Sequence, residues 1–209
     1  MKFTTLFFDL DDTLYPGDNG LWLAIKNRIS DYMTTRMGIP EETAAPMRQQ
    51  YFEQYGTTLR GLQIHHQIDT AEYLSYVHHI PLEKYLKPDL ALRTILSAIP
   101  ARKYIFTNAD VPHARRVLTA LGLENCFDGI IDVVAIAPYC KPMPESFEIA
   151  LRLAREPDPA RCVLIDDLRR TTRAARAAGL YSIIYGQPDP QSDADAALQD
   201  WMQLPYLLT

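Results

Sequence analysis

Three short apolar runs end abruptly in polar pairs, and that recurrence limits the fold more than any other feature of the chain. Residues 2–8 run into Asp9-Leu10-Asp11-Asp12-Thr13, residues 103–106 into Thr107-Asn108, and residues 162–165 into Asp166-Asp167. Each run lacks breakers and carries aromatic or β-branched side chains, so each reads as a buried strand. Helical patterns stand around them. One covers residues 89–99, one starts near Pro112 and closes at Gly122, one covers 144–155, and one covers 168–178 with Gly179 after it. Further strands are predicted at 129–134 and 180–185, the latter the last clear one. Strands separated by helices imply parallel pairing and right-handed crossovers. Parallel packing sets the strand ends on one edge, where open α/β sheets gather their ligands.

Residues 17–86 break this rhythm. Leu21, Trp22, Ile25, Ile29, Tyr32, Met33 and Met37 recur at helical spacing up to Gly38. A second helix is expected over 41–55, with Pro46 placed to cut it. Gly56 and Gly61 punctuate the next stretch, and Asp69-Thr70-Ala71-Glu72 opens a further helix as a capping box. The expected organisation is an α/β core of residues 1–16 and 87–187, a helical cap of residues 17–86, and a tail of residues 188–209. In the tail Ala196, Leu198, Trp201, Met202 and Leu204 predict a helix docked on the core.

Composition narrows the partners. A chain of 209 residues holds one domain with a small insertion. A net charge of −5 argues against a nucleic-acid polymer or a membrane surface as partner, but not against one small phosphorylated metabolite. No apolar run approaches the roughly 20 residues of a membrane span. The start of the chain lacks the marks of a signal peptide. Cys126, Cys140 and Cys162 show no CxxC spacing, so neither a disulfide framework nor a zinc site is expected, and a reducing cytoplasm is the simple location.

Carboxylates at the end of an apolar strand are costly unless a positive charge meets them. Asp9 and Asp11, two apart in an extended segment, point the same way. One carboxylate can attack phosphorus, and the other can protonate the departing oxygen and later take a proton from water. Thr107 and Asn108 can hold phosphoryl oxygens through a hydroxyl and backbone N–H groups. Lys141 can offset their charge. Asp166 and Asp167 would repel each other without a cation. With Asp9 and the backbone oxygen of Asp11 they offer the hard oxygen ligands that suit Mg²⁺. Thr57, Thr58 and Arg60, in a glycine-flanked segment, are candidates for substrate contact. His65, His66, His78 and His79 lack the spacing of a zinc helix. Trp22, Tyr51, Phe52 and Tyr55 read as cap packing. Arg169, Arg173 and Arg176 read as a solvated helix face.

In their order along residues 3–186, these motifs resemble the haloacid dehalogenase superfamily. The resemblance implies a Rossmann-like, doubly wound parallel sheet of order 5-4-1-2-3 with an inserted helical cap. It implies Asp9 as nucleophile, Asp11 as acid/base, Thr107 and Lys141 on the phosphoryl group, and Asp167 on Mg²⁺ with Asp166 beside it. The stretches at residues 8–16, 55–62, 87–89 and 105–110 are similar to the pyrimidine 5′-nucleotidase-like subgroup, which implies nucleoside monophosphates as substrates. The superfamily also contains phosphotransferases and sugar-phosphate mutases that use the same residues. Its dehalogenases lack an acid at the position of Asp11. Leu168 and Thr171 stand where the subgroup usually has Ser and Asn, which weakens the expected support of the metal ligands or marks a decayed site.

Overall fold

The computed structural model describes residues 2–191 and 193–209. Its centre is a parallel sheet of β1 (Thr5–Phe8), β2 (Arg102–Phe106), β3 (Gly129–Ile131), β4 (Cys162–Asp166), β5 (Tyr181–Tyr185) and β6 (Ala196–Leu198). The order is β3-β2-β1-β4-β5-β6, the expected doubly wound order extended by one strand. The extra strand lies in the tail. Ala196–Leu198 pairs parallel with β5, Ile183 opposite Ala196, where a docking helix is expected from the sequence. The open edge of β5 offers backbone partners, and these override the helical spacing of the apolar residues. Among the described residues the rest of the tail holds a 3-10 turn at Trp201–Gln203 and a short helix, Leu204–Leu207. The strand expected over 129–134 keeps three residues, and Asp132 instead accepts from the N–H groups of Val111 and Ala135.

Both faces of the sheet are covered, as its near-continuous apolar strands require. Leu6 and Phe8 point to one side of β1 and Phe7 to the other. Phe7 packs with Phe106, Leu164 and Phe147 under α7 (Pro144–Leu153) and α8 (Arg169–Ala177). Leu6, Phe8, Ile105 and Val163 pack under α5 (Leu90–Ala98), α6 (Val111–Leu121) and the tail residues Trp201 and Leu204. Phe8 stands opposite Ile105 and Ile165, so β1, β2 and β4 end level with one another.

Between β1 and β2 run α1 (Leu21–Thr35), α2 (Glu41–Tyr55), α3 (Thr58–His66) and α4 (Thr70–Val77). Pro46 does not cut α2, because it lies in the second turn and removes only the bond its N–H would give to Glu42. Gly61 is not punctuation either. It sits inside α3, and an added Cβ would collide with the Tyr51 ring. Gly56, at φ +87°, is required twice over, since a Cβ there would come within 2.8 Å of the Lys141 carbonyl. Asp69 caps α4 through the N–H groups of Ala71 and Glu72. Among the described residues no helix is long and apolar enough to cross a membrane. The arginine face of α8 is not free in solvent: Arg169 and Arg173 meet Asp193, and Arg176 meets Asp195.

Candidate active site

The level strand ends converge on a cavity of about 140 Å³. Asp9, Asp11, Thr107, Asn108, Lys141, Asp166 and Asp167 all line it. Lys141, on the loop before α7, donates from Nζ to Asp9 Oδ1 and to Asp166 Oδ2, each at 2.7 Å. The other oxygen of Asp166 accepts from the Leu168 N–H at the start of α8. The Thr13 hydroxyl lies 3.3 Å from Asp9 Oδ2 and 3.4 Å from Asp167 Oδ1.

Burial raises the pKa of Asp9 more than Lys141 lowers it, and Asp166 adds repulsion. Asp167 is raised by burial and by the charges of Asp166, Asp9 and Asp12. Burial alone would strip the Lys141 proton, yet Asp166 and Asp9 hold it above its ordinary value. Three carboxylates, of Asp9, Asp166 and Asp167, thus face one ammonium, with an oxygen of each within 4.8 Å of the others. Asp12 adds a buried Oδ1 with no partner, and burial pushes its carboxyl up to about 6. This hard-oxygen donor set and its uncompensated charge fit a divalent cation such as Mg²⁺. The Asp11 carboxylate stands outside that cluster. It accepts from the Tyr15 O–H at 2.6 Å and meets His113 Nε2 at 2.9 Å. Burial works against its ionisation, but His113 and Tyr15 outweigh burial and hold it below the usual carboxylate range.

The Asn108 side chain has a role of its own beside the expected backbone N–H. It donates to the Lys141 carbonyl and accepts from the Lys141 N–H, both at 2.9 Å. That amide positions the lysine, and the Asn108 backbone N–H is the group expected to meet a phosphoryl oxygen. The Thr107 hydroxyl accepts from the Ala109 N–H. Thr57 and Thr58 line the cavity, with Trp22, Ile25, Phe52, Leu59, Tyr73 and Val77 around them. Arg60 does not. It lines a neighbouring cavity of about 220 Å³ with Tyr139 and Cys140. Burial raises the Cys140 thiol above its ordinary value.

Sequence reasoning misses His113. Its ring is fully buried, and it stacks on His78 with centroids 4.1 Å apart. His78 in turn meets Asp110 at 3.0 Å, and Asp110 caps α6. A usable signal is present, because a titratable residue in the first turn of a helix that succeeds a strand-end motif faces the ligand edge. Arg170 ties α8 to the insertion by donating to the Phe52 and Gly56 carbonyls, a role its sequence position does not disclose.

A model of the haloacid dehalogenase-like hydrolases matches residues 3–179. The chain belongs to this family. Among characterised haloacid dehalogenase relatives, Phosphate metabolism protein 8 of Saccharomyces cerevisiae is 30% identical over 203 residues. Those residues cover 90% of this chain and 63% of the yeast protein. Hexitol phosphatase B of Escherichia coli is 33% identical over 86 residues, 41% of this chain and 37% of that protein. The chain therefore spans less than two thirds of either relative. Solved haloacid dehalogenase folds superpose along its whole length. A hydrolase of this family from Streptococcus pneumoniae gives a TM-score of 0.64 at 20% identity, covering 100% of this chain and 99% of its own. YfnB of Bacillus subtilis, solved with magnesium bound, gives 0.64 at 18%, covering 100% of both chains.

Proposed function

We propose that this hydrolase is a Mg²⁺-dependent phosphomonoesterase for small phosphoesters, nucleoside 5′-monophosphates among them. One observation carries the proposal: two carboxylates line one cavity and are held by different partners. Asp9 is buried against the Lys141 ammonium, and Asp11 is held ionised by His113 and Tyr15. A haloacid reaction has no use for the second acid, since a departing halide takes no proton.

Asp9 Oδ attacks phosphorus as the ester P–O bond breaks, and Asp11 gives its proton to the leaving oxygen. Turning toward that oxygen takes Asp11 away from His113 and Tyr15, burial then favours its protonated form, and the carboxylate takes up a proton from solvent before the ester bond breaks. Water next attacks the aspartyl phosphate, Asp11 takes the water proton, and the bond from phosphorus to Asp9 breaks to free inorganic phosphate. Lys141 and the Thr107 hydroxyl neutralise the phosphoryl oxygens. Asp9 and Asp167, with Asp166 beside them and the Asp11 backbone oxygen, would hold Mg²⁺, which supplies charge stabilisation to the same oxygens. Pockets for larger small-molecule ligands usually hold about 300–1,000 Å³, so a nucleotide needs the α1–α4 insertion to open and close as a cap. The Phosphate metabolism protein 8 and Hexitol phosphatase B relatives support this class of chemistry.

The test is phosphate release from a panel of nucleoside monophosphates and sugar phosphates, with Mg²⁺ and with EDTA. Release that needs Mg²⁺ and disappears in Asp9→Asn is expected. No metal-dependent release from any ester, or an active Asp9→Asn protein, ends the proposal.

A further inference from the structure

The cavity has a second cation, and it has no counter-ion. Arg48 lies on α2 and lines the cavity on the wall supplied by the insertion. Its Nε is enclosed and has no hydrogen-bond partner, a state shared by the Nε of Arg60, which lines the neighbouring cavity instead, and of Arg170, whose other nitrogens are bonded. Among the described residues its guanidinium also makes no ion pair, whereas Arg28, Arg102, Arg116 and Arg170 bind carbonyls or carboxylates. The Thr58 hydroxyl donates to the Arg48 carbonyl and ties α3 to this part of α2. Around Arg48 the insertion offers apolar and aromatic side chains, Phe52, Tyr73 and Leu74 among them. A half-buried guanidinium in such a wall is costly until an oxygen acceptor reaches it.

We infer that Arg48 is the specificity-determining contact for the leaving group, and that it selects phosphomonoesters whose far end carries an exposed oxygen acceptor, a nucleobase carbonyl or a carboxylate. The inference rests on the phosphomonoesterase proposal and narrows its substrate class. The transferred phosphoryl group already has Lys141 and Thr107 at the sheet edge, so Arg48 serves what the phosphoryl group departs from. A site built around a hydrogen bond rejects the analogue that lacks it more strongly than an apolar site rejects a change of size.

The experiment compares uridine 5′-monophosphate, 2-phosphoglycolate and phenyl phosphate with the wild type, Arg48→Met and Arg48→Lys. The ratio of kcat/KM for an acceptor-bearing ester to that for phenyl phosphate should fall about 10- to 100-fold in Arg48→Met. Arg48→Lys should recover part of it, which also covers the case of a poorly folded methionine variant. Loss on uridine 5′-monophosphate identifies a carbonyl, and loss on 2-phosphoglycolate identifies a carboxylate. Unchanged ratios for both overturn the inference. A binding arm keeps it separate from the catalytic proposal. Calorimetry on Asp9→Asn should show the same selective weakening when Arg48→Met is added. If the wild type hydrolyses none of the three esters and none of the wider panel, the phosphomonoesterase proposal fails, and the calorimetry still decides the role of Arg48. Equal affinities with and without Arg48, or no binding of either acceptor-bearing ester, overturn it.

Discussion

At the sheet edge the cavity wall is charged and cross-linked: Lys141 bridges Asp9 and Asp166, Asn108 clasps the Lys141 backbone, and Thr13 lies between Asp9 and Asp167. Across from it, α1–α4 contribute apolar and aromatic surface and the Arg48 guanidinium, which among the described residues makes no ion pair. Under the proposed function the difference separates two tasks. Groups that stabilise a developing charge must be held rigidly before the reaction, and strand ends in a level sheet do that. Groups that select a leaving group must release it again, and helix faces on an insertion suit that.

Asp9→Asn should show the contrast most strongly. Turnover should fall by about 10⁴-fold or more, as expected when a nucleophile is lost, while the fold survives because the amide is nearly isosteric. A mutant with substantial phosphate release would place the reacting group elsewhere. Lys141→Met strands Asp9 and Asp166 without their ammonium, and should cost about 3–5 kcal/mol of stability by urea denaturation. A melting temperature matching the wild type would mean that this edge is less dependent on pairing than its geometry requires.

The charged end should also answer to pH. Asp9 and Asp167 are raised to about 7 and about 9 in the metal-free fold. An unfolded carboxyl titrates near about 4, so above that value the fold retains protons that the unfolded chain has released. Stability without metal should therefore fall as pH climbs from about 4 towards 9, and saturating Mg²⁺ should flatten the slope. Thermal melts across that range with EDTA and with Mg²⁺ decide it, and a rising slope in EDTA would contradict the assignment.

At the insertion end the expected effects are smaller. Gly61→Ala drives a methyl into the Tyr51 ring and should cost about 1–3 kcal/mol, the usual range for overpacking, read by denaturation. Arg60→Ala should change kcat/KM least, within about threefold, because Arg60 lines the neighbouring cavity. A large loss in that variant would join the two cavities into one site.

The same division explains what can be read from the sequence alone. Asp9, Thr107 and Asp167 are legible as candidates because a strand end is a local pattern, and parallel order then brings distant ends together; Lys141, on a loop, is legible only through its place in the order of those motifs. His113 is not, since its partner Asp11 lies 102 positions away and only the docking of α6 brings them within 2.9 Å. Arg48 reads as one polar residue on a helix, because what makes it unusual is the missing partner. The Ala196–Leu198 strand is hidden for a third reason. Alanine carries little strand preference, and the edge of β5 supplies the reason to extend.

The approach of Gly56 to the Lys141 carbonyl, with Arg170 gripping the Gly56 oxygen and Asn108 gripping Lys141, has an engineering consequence. A foreign helical insert grafted onto this scaffold to change its preference would swing the Lys141 ammonium out of register unless that junction were transplanted with it. Libraries that hold residues 56, 108, 141 and 170 constant while varying α1–α4 should yield many more active chimeras than libraries cut at the helix boundaries.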